Sequence, residues 1–229
     1  MHRYASAVVA IGLFALPAVE GANIAVIVGD AEAPTVSEQQ MVAYLQSPEG
    51  GGHAVSLFDD DADDPELICG SDGADPPVYN FDLLIISSTI EPEKVDGDYR
   101  TRNIPRIYWA SGLFQPCWES MASSATTLPD RTQIWVWSLG HYITQNLLFG
   151  YNAVLTTPQP MNVAAVGEFP TYPQAGPGIM VLAEDEIDPS KATILAAEAG
   201  YENLRYDGTP FLARQVFLFL SADSFKDLN

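Results

Sequence analysis

The chain has 229 residues, of which 47% are hydrophobic and 17% are charged, so it contains enough apolar material to bury one globular core. Its 30 acidic residues outnumber its 10 basic residues, and the formal net charge is −20. Binding to nucleic acid or to an anionic membrane surface depends on cationic side chains, so this charge excludes both classes of partner.

The first 21 residues are typical of a secretory signal. His2 and Arg3 provide a short cationic start, residues 5–18 are apolar, and Val19 and Gly21 suit the two small-residue positions before a cleavage site. The apolar run is shorter than the roughly 20 residues that a membrane span requires. We therefore predict an exported, periplasmic or extracellular protein with a single domain over residues 22–229 and no membrane span after cleavage.

Strands alternate with longer connections in the first half of this domain. The sequence predicts strands at 23–29, 54–58, 81–86 and 105–109, and a helix at 37–45 that is capped by Ser37. Continuous β-branched runs indicate strands covered on both faces. This pattern predicts an α/β domain, a flavodoxin-like three-layer sandwich with a mostly parallel sheet.

The second half has closely spaced strands without intervening helices. They are predicted at 133–137, 152–155, 178–183, 193–197 and 215–220, and the proline-rich segment 156–177 and the turn-rich segment 200–210 are predicted to be connections. Strands joined in this way favour antiparallel pairing. We expect antiparallel additions to the parallel sheet in this half.

The order of these segments resembles a known family. Residues Ile24–Asp30, Gly52–Val55, Tyr79–Thr89, Ile104–Trp109 and Arg214–Ser221 are similar to strands and turns of secreted class I glutamine amidotransferase-like domains, nearest to the trehalose-utilisation (ThuA-like) branch. The resemblance covers most of residues 23–229. It implies a flavodoxin-like fold and a role connected with carbohydrate. Relatives continue into a terminal helix, so we expect this domain to lack that helix or to be truncated, which would leave an apolar face uncovered.

The catalytic motif of the family is altered in this chain. Catalytic members have a nucleophilic cysteine in a G-x-C-x-G turn, whereas Trp109–Leu113 has Ser111 at its centre and no flanking glycines at the outer positions. The family's histidine is followed two residues later by glutamate, but His141 is followed by Tyr142 and Ile143. The glutamine-hydrolysing triad is therefore predicted to be absent, which favours a non-catalytic binding or accessory module.

A hydrolase remains the main alternative. A hydroxyl nucleophile needs an adjacent imidazole, so Ser111 with His141 and an acid such as Glu198 or Asp30 is the sharpest catalytic hypothesis, with Cys117 as another nucleophile. A structural role in assembly is the third hypothesis. The sequence does not specify an oligomeric state.

Ligands of open α/β sheets bind at the carboxyl ends of the strands. This rule selects polar and aromatic residues that follow the predicted strands as candidates for binding a small molecule or carbohydrate: Asp30, Ser87, Ser88, Thr89 and Trp109. Serine, threonine and aspartate at such junctions also cap helices and turns whatever the function.

Three further features suggest sites of other kinds. The acidic run 59–64 offers Asp59, Asp61 and Asp63 to calcium, although it lacks the EF-hand pattern and acidic runs are often solvated faces. Cys69 and Cys117 form either a disulfide or two buried thiols. Four tryptophans are candidates either for stacking on sugar rings or for packing into the core: Trp109, Trp118, Trp135 and Trp137. Trp135 and Trp137 alternate along a predicted strand, which favours the core.

Overall fold

The computed structural model describes residues 21–61, 81–95, 99, 102–114, 121–167, 175–222 and 224–228. Residues 1–20 of the predicted signal, Asp63, Cys69, Cys117 and Trp118 lie outside the described residues. Within them, no helix is long and apolar enough to cross a membrane. The strands are β1 Asn23–Val28, β2 Ala54–Asp59, β3 Leu83–Ile86, β4 Arg106–Tyr108, β5 Ser124–Arg131, β6 Gln133–Val136, β7 Gly150–Ala153, β8 Gln159–Ala165, β9 Met180–Asp185, β10 Lys191–Ala197, β11 Gly200–Leu204, β12 Pro210–Phe211 and β13 Gln215–Leu218. The helices are α1 Val36–Gln46 and α2 Pro92–Val95, with 3-10 turns at Ser111–Phe114 and Phe225–Asp227.

Five parallel strands form the first half of an 11-stranded sheet, in the order β2-β1-β3-β4-β13. With β13 as the fifth strand, this is the 2-1-3-4-5 order of flavodoxin-like folds. Strands β1 and β3 are almost completely buried, as continuous apolar strands covered on both faces should be. Strand β4 is also buried, although it begins with Arg106. The predicted fold class is confirmed.

Antiparallel strands extend the sheet beyond β13, in the order β13-β10-β9-β6-β7. A second branch leaves β10 through β8, which pairs with β5. These are the antiparallel additions that the sequence predicts for the second half, with one difference. The strand predicted at 215–220 is β13, which runs parallel to β4 and pairs antiparallel only with β10. The addition is larger than expected, because β8 lies inside the proline-rich segment and β5 was not predicted at all.

Two apolar cores cover the two faces of the sheet. Met41 and Leu45 of α1 pack on one face, with Trp109. Val95 of α2 and Phe114 of the first 3-10 turn pack on the other. Helical segments therefore lie on both sides of the sheet, which gives the three layers.

Helix α1 begins at Val36, one residue earlier than predicted, and its N-cap lies two residues earlier. Thr35, and not Ser37, is the N-cap: its hydroxyl accepts from the Glu38 backbone N–H, and the Glu38 carboxylate accepts from the Thr35 N–H at 2.7 Å. This reciprocal capping box satisfies two backbone donors that would otherwise lack partners. It also fixes Glu38 at the carboxyl ends of β1 and β3.

Candidate functional site

The aspartates at the carboxyl edge of the sheet hold loops in place. One carboxylate oxygen of Asp30 accepts from the backbone N–H groups of Glu32 and Ala33, at 3.0 and 2.9 Å. Asp59 accepts from the Ala31 N–H at 2.5 Å. Both side chains therefore act as turn caps in the loop after β1.

The hydroxyls that follow β3 face a buried carboxylate. Ser87 and Thr89 donate to the same Glu38 oxygen at 2.5 and 2.6 Å, and the Gly29 N–H donates to the Thr89 hydroxyl at 3.0 Å. Glu38 is only 2% exposed. The crevice between β1 and β3, where a flavodoxin-like fold would hold its ligand, is thus filled by this network. Sequence reasoning missed Glu38, although the T-x-x-E spacing of the capping box was its signal.

Two other candidates at this edge are also enclosed. The Ser88 hydroxyl is buried and has no hydrogen-bond partner within the described part of the chain. Trp109 is 1% exposed and stacks on Phe225, with ring centroids 5.9 Å apart and planes inclined by 8°. The 3-10 turn at Phe225–Asp227 therefore covers the apolar face beside Trp109.

Ser111 begins a 3-10 turn, and its backbone is not strained. Among described residues other than glycine, only Asp130 has a positive φ, so Ser111 lacks the strained turn that presents a nucleophile in hydrolases. It is half-buried.

The structure does not bring Ser111 and His141 together. The first residue of β4 lies beside Arg214, because the Arg106 N–H donates to the Arg214 carbonyl. The charges of Arg214 and Glu198 act on His141, which places His141 near this beginning of β4. Ser111 follows the other end of β4, on the order of 15 Å further along an extended chain. Of the proposed catalytic group, only His141 and Glu198 lie near each other.

His141 belongs to a polar cluster at the amino edge of the parallel strands. Its ring centroid is 4.3 Å from that of Tyr142, and Arg214, 5.0 Å above the Tyr142 ring, pairs with Glu198 at 2.8 Å. Burial lowers the pKa of His141, Glu198 partly offsets this, and Arg214 lowers it further. A cavity of about 410 Å³ adjoins the imidazole and is lined by Ser138, Gly140, His141, Met180, Val181 and Leu182.

An aromatic cluster lies on the outer hairpin β6–β7, at one edge of the sheet. Ile134 and Val136 face the core, so the alternation along β6 turns Trp135 and Trp137 to the opposite face, where they are half-buried. This differs from the core packing that the sequence favoured. We call Trp135, Trp137, Phe149 and Tyr151 the aromatic surface.

The four rings of the aromatic surface touch one another at steep angles. Trp135 lies 4.4 Å from Tyr151, 5.7 Å from Trp137 and 6.3 Å from Phe149, with interplanar angles of 84°, 60° and 69°. Phe149 and Tyr151 are each 59% exposed. The Trp137 indole N–H donates to the buried Glu184 carboxylate, which anchors the cluster to β9. Sequence reasoning missed Phe149 and Tyr151, because only the pairing of β6 with β7 brings them to the tryptophans.

The remaining candidates form no assembled centre in the described residues. Asp59 already accepts from a backbone N–H, Asp61 is exposed, and no group of three or more potential metal ligands occurs in the part of the chain that the structure describes. Calcium binding through Asp59, Asp61 and Asp63 stays a prediction.

Comparison with known proteins gives little more. The chain matches no protein-family model and no curated protein sequence. It is similar to a solved structure described as the Trypanosoma brucei CTPS glutaminase domain with bound acivicin, at 9% identity and a TM-score of 0.45, over 77% of this chain and 81% of that one. A similarity of this size transfers no functional residue to this chain.

Proposed function

We propose that the protein is a secreted, amidotransferase-like binding module that recognises neutral carbohydrate through its aromatic surface. The flavodoxin-like strand order agrees with the fold expected of that superfamily. The first 21 residues support export, and the resemblance of the strands and turns to ThuA-like domains supports the connection with carbohydrate.

The exposed rings of the aromatic surface are the observation on which the proposal rests. An aromatic face carries a negative quadrupole that attracts the weakly positive C–H groups of a sugar ring, while the sugar hydroxyls keep their contact with water. Phe149 and Tyr151 offer such faces at the sheet edge. Because the rings are inclined by 60° to 84°, they form no flat platform, and the arrangement suits a single sugar chain better than a crystalline surface.

Charge restricts the ligand to a neutral one. The formal charge of −20 repels uronic acids and sulfated sugars. The separation of Ser111 from His141 supports binding over hydrolysis, since attack by a serine needs the imidazole within hydrogen-bond reach.

Titration with soluble neutral oligosaccharides tests this function. The probes are trehalose, maltohexaose, cellohexaose and mannohexaose, followed by tryptophan fluorescence and calorimetry. We expect at least one to bind, and expect Phe149→Ala and Tyr151→Ala each to weaken that binding by at least about fivefold, the loss typical of a residue central to an interface. Tyr206→Ala is the matched control, because Tyr206 is 42% exposed and lies outside the aromatic surface.

The proposal is wrong if no probe binds, or if binding survives both substitutions unchanged. Light scattering on the same variants examines the assembly hypothesis. A change of oligomeric state in Phe149→Ala without any effect of the sugars would assign the surface to contact between protein chains.

A further inference from the structure

Two buried arginines share one neutral acceptor between β4 and β13. With its amide oriented so that the oxygen faces the guanidinium groups, Gln215 accepts from Nε and Nη2 of Arg106 at 3.2 and 2.6 Å, and from Nη2 of Arg205 at 2.9 Å. Arg106 is 1% exposed, Arg205 is 2% exposed and Gln215 is fully buried. Arg205 also lies 4.7 Å above the ring of Phe211.

In the part of the chain that the structure describes, the charge of Arg106 has no matching anion. A guanidinium is always ionised in proteins, and removing it from water costs several kcal/mol unless an anion compensates. No ion pair in the described part of the chain includes Arg106. Its Nη1 is buried and has no hydrogen-bond partner there. An amide oxygen supplies hydrogen bonding but no countercharge.

We infer that Arg106 holds a small oxyanion, with its free Nη1 as the principal donor. A guanidinium presents planar, parallel N–H groups that match two oxygens of a carboxylate, a phosphate or a sulfate. The oxyanion would neutralise a buried charge and satisfy a buried donor at once. This site is distinct from the aromatic surface and does not depend on the proposed function.

Charge restricts the oxyanion. The net charge of −20 disfavours large polyanions, but salt screens this repulsion beyond about 8–10 Å. A small anion of low charge is therefore the expected ligand.

Thermal unfolding in matched salts tests the inference. The probes are sodium acetate, sodium phosphate and sodium sulfate, each compared with sodium chloride at equal ionic strength. We expect at least one oxyanion to raise the unfolding midpoint in a saturable way, because a ligand that binds only the folded state stabilises it. A response to acetate alone identifies a carboxylate ligand, whereas a response to phosphate and sulfate identifies a tetrahedral one.

Arg106→Met should abolish the saturable response. In chloride it should also unfold at or above the midpoint of the parent protein, because it removes a buried charge that lacks a partner. Sulfate stabilises many proteins without binding a site. The quantity compared is therefore the rise in the unfolding midpoint of the parent protein minus the rise in the variant. Arg131→Met is the matched control: Arg131 pairs with Asp185 at 2.6 Å, so this variant loses stability but keeps the oxyanion response.

Arg106→Lys provides a second variant that keeps the charge and lacks the paired donors. We expect it to need at least about fivefold more oxyanion for half of the response. Equal midpoints in all four salts, or an undiminished response in Arg106→Met or Arg106→Lys, would overturn the inference.

Discussion

Asn162 connects the antiparallel half of the sheet to the parallel half. It lies in β8 and is 3% exposed, and its side-chain N–H₂ donates to the carbonyls of Trp109 and Leu220, at 2.6 and 2.7 Å. These carbonyls follow β4 and β13. The Asn162 oxygen accepts from the Thr127 hydroxyl of β5 at 2.7 Å, so one amide joins three elements.

Asn162→Leu keeps the size of this side chain but removes both N–H donors. A buried acceptor left without its partner costs about 1–3 kcal/mol, so the loss at two carbonyls, reduced by the added apolar contact, should lower the free energy of unfolding by about 2–4 kcal/mol. Thr127→Val removes only the donor to the Asn162 oxygen, from a more exposed position, and should lower it by about 1 kcal/mol.

Urea denaturation measures both effects, and the denaturant slope should be unchanged if the two halves unfold together. A loss below about 1 kcal/mol for Asn162→Leu would refute the reasoning, because the two carbonyls would then be satisfied without the amide. Two separate transitions in the variant would show instead that the amide couples two units that otherwise unfold independently.

Three further predictions concern backbone, cap and pH. Gly29→Ala should lower the free energy of unfolding, measured in urea, by about 1–3 kcal/mol, because the new Cβ would lie 2.5 Å from the Thr89 carbonyl oxygen. Gly140→Ala is the control: its Cβ would meet open space, so it should change this free energy by less than about 0.5 kcal/mol. Thr35→Ala should remove about 1 kcal/mol of stability by deleting the cap of α1, and Thr35→Ser should restore it; equal stabilities of all three proteins would contradict the capping role. Burial holds the pKa of His141 below 6.5, so the folded state binds fewer protons than the unfolded chain. The stability of the protein should therefore fall as the pH drops below about 6.5. Thermal melts across that pH range measure this dependence, and His141→Gln should make it weaker.

The apolar strands could be predicted from the sequence because their burial is encoded locally. Residues 23–29 form an unbroken β-branched run, and a central parallel strand covered on both faces needs that composition. β5 and β8 lack such a run: β5 is largely polar and exposed, and β8 begins beside Pro158 and Pro160. Their pairing with each other, and not their composition, makes them strands.

The candidate sites depended on the tertiary structure. The sequence determined the acidic charge, the apolar strands of the first half and the residues that follow these strands. It did not determine that Ser87 and Thr89 turn towards Glu38, that Ser111 and His141 lie at opposite edges, or that Phe149 and Tyr151 join two tryptophans. The sequence also did not indicate that the guanidinium of Arg106, in a short strand, is buried beside the guanidinium of Arg205. The reason is physical: apolar periodicity acts over neighbouring residues, whereas these contacts join side chains that only the pairing and packing of distant strands bring together.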